Sequence, residues 1–82
     1  MLVSTDAIVL HCFPYSETSV IVRLVTRGAG VQSAMARGAR RAKSRFGTAL
    51  DLFAQGAAQI HMKVGRELQT LGAFDITSSR AR

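Results

Sequence analysis

Period-two alternation, broken at short intervals by glycine, constrains this chain more than any other feature. It is the pattern of strands with one buried face. TDAIVLHCF (5–13) is rich in β-formers, and PYSET follows, with Pro14 suited to a turn. SVIVRLVTR (19–27) puts Val20, Val22 and Leu24 on one face and Ile21, Arg23 and Val25 on the other. GAG (28–30) supplies glycines for a tight hairpin, and VQSAMAR (31–37) reads as the third strand. ALDLFAQGAAQIHMK (49–63) reads as a long fourth strand. There Leu50, Leu52 and Ala54 alternate first and Ala58, Ile60 and Met62 later, with Gly56 marking a bulge or bend between them. VGR (64–66) is a turn, and ELQTLGAFDIT (67–77) is the fifth strand, with Leu68, Thr70, Phe74 and Ile76 on one parity across Gly72.

Five short strands with glycine interruptions suit a closed or nearly closed barrel, because closure removes the edges an open sheet must manage. The one helix-compatible piece, RRAKSRFGTAL (40–50), falls between the third and fourth strands. The predicted fold is therefore all-β: a five-stranded oligonucleotide-binding (OB) barrel with a short helix between strands 3 and 4. A six-stranded or SH3-like barrel is the competing architecture. Residues 1–78 read as one domain and 79–82 as a flexible tail.

An apolar share of 48% in 82 residues is ample for a core and argues against disorder. No stretch approaches the length of a transmembrane helix, and MLVSTDAIVL lacks the basic start of a signal peptide. Cys12 is the single cysteine, so neither an internal disulfide nor a thiolate zinc cage can form within the chain. That usage agrees with a reducing compartment, and a cytoplasmic location is expected. Cys12, Met35 and Met62 read as core fillers.

Charge is the second constraint. The formal net charge is +6, and five of the eleven basic residues crowd into MARGARRAKSRFG (35–47): Arg37, Arg40, Arg41, Lys43 and Arg45, with no acid among them. A solvated face normally mixes signs. Concentrated charge of one sign raises a local potential whose natural partner is a polyanion. Guanidinium groups fit phosphate oxygens and stack on bases, and phosphate neutralisation binds without reading sequence. In helical form, Arg41 and Arg45 share a face at i, i+4. Phe46 reads better as core than as a stacking platform. Tyr15, in the first loop, suits base stacking and structural packing equally. Arg23, on the second strand, could extend the positive surface, as could Arg27, Lys63 and Arg66.

Nothing in the sequence assembles a catalytic site. Asp6, Glu17, Asp51, Glu67 and Asp75 are scattered singly, and no nucleophile elbow or phosphate-cradling glycine motif is present. His11 and His61 each sit inside a strand, where a packed or surface histidine is the ordinary finding. No metal-ligand spacing occurs. The expectation is a binding module with no cofactor, no metal and no enzymatic role.

AIVLHCFPYSETSVIVRLVTRGAG, then ARGARRAKSRFGTALDLF, then GRELQTL, in this order and spacing, resemble the N-terminal domain of the RecO family of bacterial DNA repair and recombination mediators. The resemblance runs from about Thr5 to Ile76. It implies an OB fold, binding of single- and double-stranded DNA, strand annealing, and loading of RecA together with RecR onto DNA coated by single-stranded DNA-binding protein. It implies DNA contact by the residues matching the family's basic positions, Arg37, Arg40, Arg41, Lys43 and Arg45. Family members continue into a helical C-terminal domain, absent from this sequence. The alternative reading is a protein-interaction module whose basic block docks an acidic partner, such as the tail of single-stranded DNA-binding protein. A membrane partner is not expected, since the basic block lacks a broad apolar face.

Overall fold

The computed structural model describes residues 1–40, 50 and 52–78. Five strands, β1 (Leu2–Pro14), β2 (Val20–Thr26), β3 (Gly30–Ala36), β4 (Gln55–His61) and β5 (Leu68–Ser78), close into a barrel in the order β1-β2-β3-β5-β4. All neighbours are antiparallel except β3 and β5, which run parallel from Ser33↔Leu68 to Met35↔Thr70. This is the OB arrangement. The helix expected over 40–50 lies almost wholly outside the described residues, as does the tail.

β1 closes the barrel because its 13 residues serve two neighbours. Leu2 to Ile8 pair with β4, and Ala7 to Pro14 pair with β2. Between them the register jumps from Val9↔Leu24 to His11↔Arg23, leaving Leu10 as an extra residue. A bulge of this kind bends the strand and reverses which parity faces inward. Ala7 and Val9 point into the core before it, and Cys12 packs against the core after it. His11 and Phe13 are consequently turned outward and exposed.

The core is narrow. Ala7, Ala34, Ala36, Ala54 and Ala58 line it beside Val9, Val22, Leu24, Ile60 and Leu71, all at most 2% exposed. Small residues let five tilted strands close tightly, and the larger aliphatic side chains fill the centre, each worth about 1.5–3 kcal/mol on burial.

Two glycines carry β5 around the barrel. Opposite Gln59 and Ile60 the partner changes from Ala73 to Leu71, so Gly72 is an inserted residue. A Cβ there would lie 3.0 Å from His61 Nε2. This insertion splits the single parity expected for β5: Gln69 and Leu71 face inward before it and Phe74 after it, while Leu68 and Thr70 are only half-buried and Ile76 is exposed. The register shifts again at Gly56, as expected from a glycine within a strand pattern. There β5 comes so close that a Cβ would overlap the Asp75 carbonyl oxygen and lie 2.9 Å from its carbon.

The strand expected from residue 49 begins only at Gln55. Phe53 has φ 62°, a left-handed conformation that no strand accommodates. The chain turns there, held by Phe53 N–H donating to Val9 O at 2.7 Å and Val9 N–H donating to Ala54 O at 3.0 Å. Ala54 is buried, whereas Leu52 and Phe53 are exposed. β1 also starts earlier than expected, and Pro14 ends it instead of opening a turn. Met35 lies half-buried on the outer side, because its neighbours Ala34 and Ala36 take the inward positions; Met62 does pack against the core.

Candidate nucleic-acid interface

The loop after β1 is short and held by its own hydrogen bonds. Tyr15 N–H and Ser16 N–H both donate to Ser19 O, at 2.9 and 3.2 Å. Ser16 Oγ accepts from Thr18 N–H at 3.3 Å and from Ser19 N–H at 3.1 Å. A serine turn of this kind fixes backbone that would otherwise be mobile. Gly38, at φ 75°, then redirects the chain leaving β3 toward that loop.

Arg40 joins the two. Its backbone N–H donates to Thr18 O at 3.0 Å, and its guanidinium donates through Nη1 to Ser16 O at 2.7 Å. The start of the basic segment is thereby fastened beside Tyr15. Pro14, Tyr15, Ser16, Glu17 and Arg40 line an open depression of about 400 Å³. Arg37 stands exposed at the end of β3, and Tyr15 is 58% exposed at the rim.

This placement gives Arg40 two roles. One N–H of its guanidinium holds a backbone carbonyl, and the carbonyl leaves the positive charge uncancelled. Among the described residues, the one ion pair is elsewhere, between Arg27 and Asp6 at 3.6 Å. The remaining donors of Arg40 and the whole head of Arg37 can meet an anion. Glu17 shares the depression, a neighbour that the acid-free run 35–47 did not announce.

The expected site residues divide by position. Tyr15 and Arg40 are brought together, with Arg37 at the same end of the barrel. Arg23 is exposed on the outer face of β2, paired in register with His11 on β1 and Ser33 on β3. Arg41, Lys43 and Arg45 lie outside the described residues.

Two features escaped sequence reasoning. Phe13, read as a neighbour of a buried cysteine, is 40% exposed on the outer face and packs against His11, ring centroids 5.3 Å apart. The signal was present in the ring residues at 11, 13 and 15, but an unbroken strand would have put Ala7, Val9 and Phe13 on one face. Gln69, 5% exposed, fixes the loop between β4 and β5. Its Oε1 accepts from Lys63 N–H at 2.8 Å, and its Nε2 donates to Arg66 O at 2.6 Å and Lys63 O at 3.3 Å. The cations Lys63 and Arg66 are thus presented on a braced turn.

The chain is 46% identical over 70 residues to the DNA repair protein RecO of Salinibacter ruber, covering 85% of this chain and 27% of that protein. It is 37% identical over 78 residues to the DNA repair protein RecO of Syntrophotalea carbinolica, and 40% identical over 78 residues to that of Symbiobacterium thermophilum. Each of those two matches covers 95% of this chain and 30% of the relative. The chain thus spans less than a third of the length of these relatives. Residues 1–80 match the family model described as Recombination protein O N terminal, and the chain belongs to that family.

Proposed function

We propose that this domain is the DNA-binding OB module of a recombination mediator, gripping single- and double-stranded DNA through phosphates. The observation that carries this is the end of the barrel where Arg40 is tied beside Tyr15 with Arg37 nearby, neither arginine in an ion pair among the described residues. The block continues in sequence through Arg41, Lys43 and Arg45, and Arg23 extends it over the outer face of β2. The domain does no chemistry in this reading. It holds DNA while the mediator supports strand annealing and, with RecR, loading of RecA in the bacterial cytoplasm. Membership of the family and the names of the relatives support the repair and recombination context.

The test is fluorescence anisotropy of labelled single strands and duplexes across a salt series. Affinity should fall steeply with salt and vary little with sequence. Replacing Arg40, Arg41 and Lys43 together by alanine should weaken binding to every sequence and flatten the salt slope by roughly one unit per lost duplex phosphate contact. An unchanged slope in the triple variant would remove the assignment. Competition by an acidic peptide with no loss of slope in the variant would point to the protein-docking alternative.

A further inference from the structure

The bulge at Leu10 turns β1 into a strand with a ring on each successive outward position: His11, Phe13 and, one residue past its end, Tyr15. Outward positions on a strand recur about every 6.8 Å. His11 and Phe13 are already in contact, their planes inclined by 42°. All three residues are exposed, Phe13 to 40% and Tyr15 to 58%. Exposed aromatic area on a small barrel is unfavourable unless something stacks on it.

Cations border the row at both ends. Arg23 pairs with His11 in register across β1 and β2, and Arg40 lines the depression with Tyr15. An apolar protein partner would have to cover these guanidinium groups at a desolvation cost. A chain with flat faces on one side and phosphates on the other satisfies both. The geometry points to a base-stacking site on the outer face of β1, in which His11, Phe13 and Tyr15 take successive unpaired nucleobases while Arg23 and Arg40 hold the adjoining phosphates.

A duplex keeps its base faces stacked inside, so it can use the cations but not the rings. The site therefore favours single strands. This inference rests on the proposed DNA-binding function and adds to it the residues that tell one form of DNA from the other.

The experiment compares Phe13→Leu, Tyr15→Leu and Tyr15→Phe with the parent chain, using a labelled mixed-sequence single strand and a duplex of equal length at one salt concentration. Phe13→Leu and Tyr15→Leu should each weaken single-strand binding roughly fivefold or more and leave duplex affinity within about twofold. Tyr15→Phe, which keeps the ring, should bind like the parent. Thermal unfolding checks the Phe13 variant; Tyr15 lies in a loop and makes no side-chain hydrogen bond among the described residues, so its variants test the idea independently of folding. Equal losses on both substrates, unchanged single-strand affinity in the Tyr15→Leu variant, or a change in self-association in place of strand preference would each overturn the stacking site. If duplex binding stays steeply salt-dependent while the ring variants behave as the parent, the stacking site falls and the phosphate-gripping function stands. If the parent binds neither substrate, both fall.

Discussion

The two ends of the β2–β3 ribbon use arginine in opposite ways. At the hairpin end, Arg27 follows β2 and its guanidinium faces Asp6 at 3.6 Å, both side chains well exposed. The turn there is internally satisfied: Thr26 Oγ1 donates to Gly30 O at 2.7 Å and accepts from Ala29 N–H at 2.9 Å, and Gly30 takes the positive φ of 69° that the turn needs. At the other end, Arg40 is held by the Ser16 carbonyl and forms no ion pair among the described residues, although Glu17 lines the same depression. A carboxylate neutralises an arginine as it orients it. A carbonyl only orients it. Two exposed arginines are therefore a surface ion pair at one end and, in the proposed function, an anion site at the other.

That contrast presumes one rigid barrel holding both ends, and the largest expected effect tests the presumption. Gly56→Ala places a Cβ against the backbone of Asp75, so backbone rather than a flexible side chain must give way. The variant should lose about 3 kcal/mol of stability in urea unfolding. Both ends should then melt in a single transition, followed by tyrosine fluorescence at Tyr15 and by exchange of the Ala29 and Gly28 amides. Two separate transitions would mean that the ends are independent units and the comparison between them is one of stability, not of charge.

Within the intact barrel, the comparison itself is tested by removing one arginine from each end. Arg40→Ala should weaken DNA binding roughly tenfold, through a lost phosphate contact and a loosened Tyr15 loop. Arg27→Ala should change affinity by less than about twofold, because its charge is already matched by Asp6. Anisotropy at low salt reads both. Equal effects would show that the charge of the whole barrel, and not its placement, sets affinity.

How far these placements could be foreseen differs from element to element. β2 was legible because Val20, Val22 and Leu24 keep one parity without interruption. The hairpins were legible because Gly30 and Gly65 sit where a positive φ is required. β4 was misplaced at its start: Leu50, Leu52 and Ala54 alternate like a strand, but the turn at Phe53 is held by the bonds of Phe53 and Ala54 to Val9, which no local pattern encodes. The parity of β5 and the outward turn of Phe13 were hidden for one reason. A bulge is a property of two paired strands: a glycine such as Gly56 can mark one from within its own strand, but Leu10 carries no such mark, and Gly72 alone does not say how the parity changes across it. Of the site, Arg40 and Tyr15 were legible as residue types, while their junction through Ser16 and Thr18 depends on contacts 22 to 24 residues apart in sequence.

The smallest effect is also the most discriminating. Asp6→Asn keeps the shape of the hairpin end and removes its negative charge, so Arg27 becomes an uncancelled cation like Arg40. Stability should change by no more than about 0.5 kcal/mol, since an exposed pair contributes little. DNA affinity should rise by about twofold or less at low salt, and the gain should vanish at high salt, because an added charge far from the bound phosphates acts only through the screened field. A rise as large as the loss in Arg40→Ala would mean that the hairpin end is a second DNA contact held shut by Asp6. The two ends would then differ by one carboxylate alone, and the carbonyl that orients Arg40 would have no special part in binding.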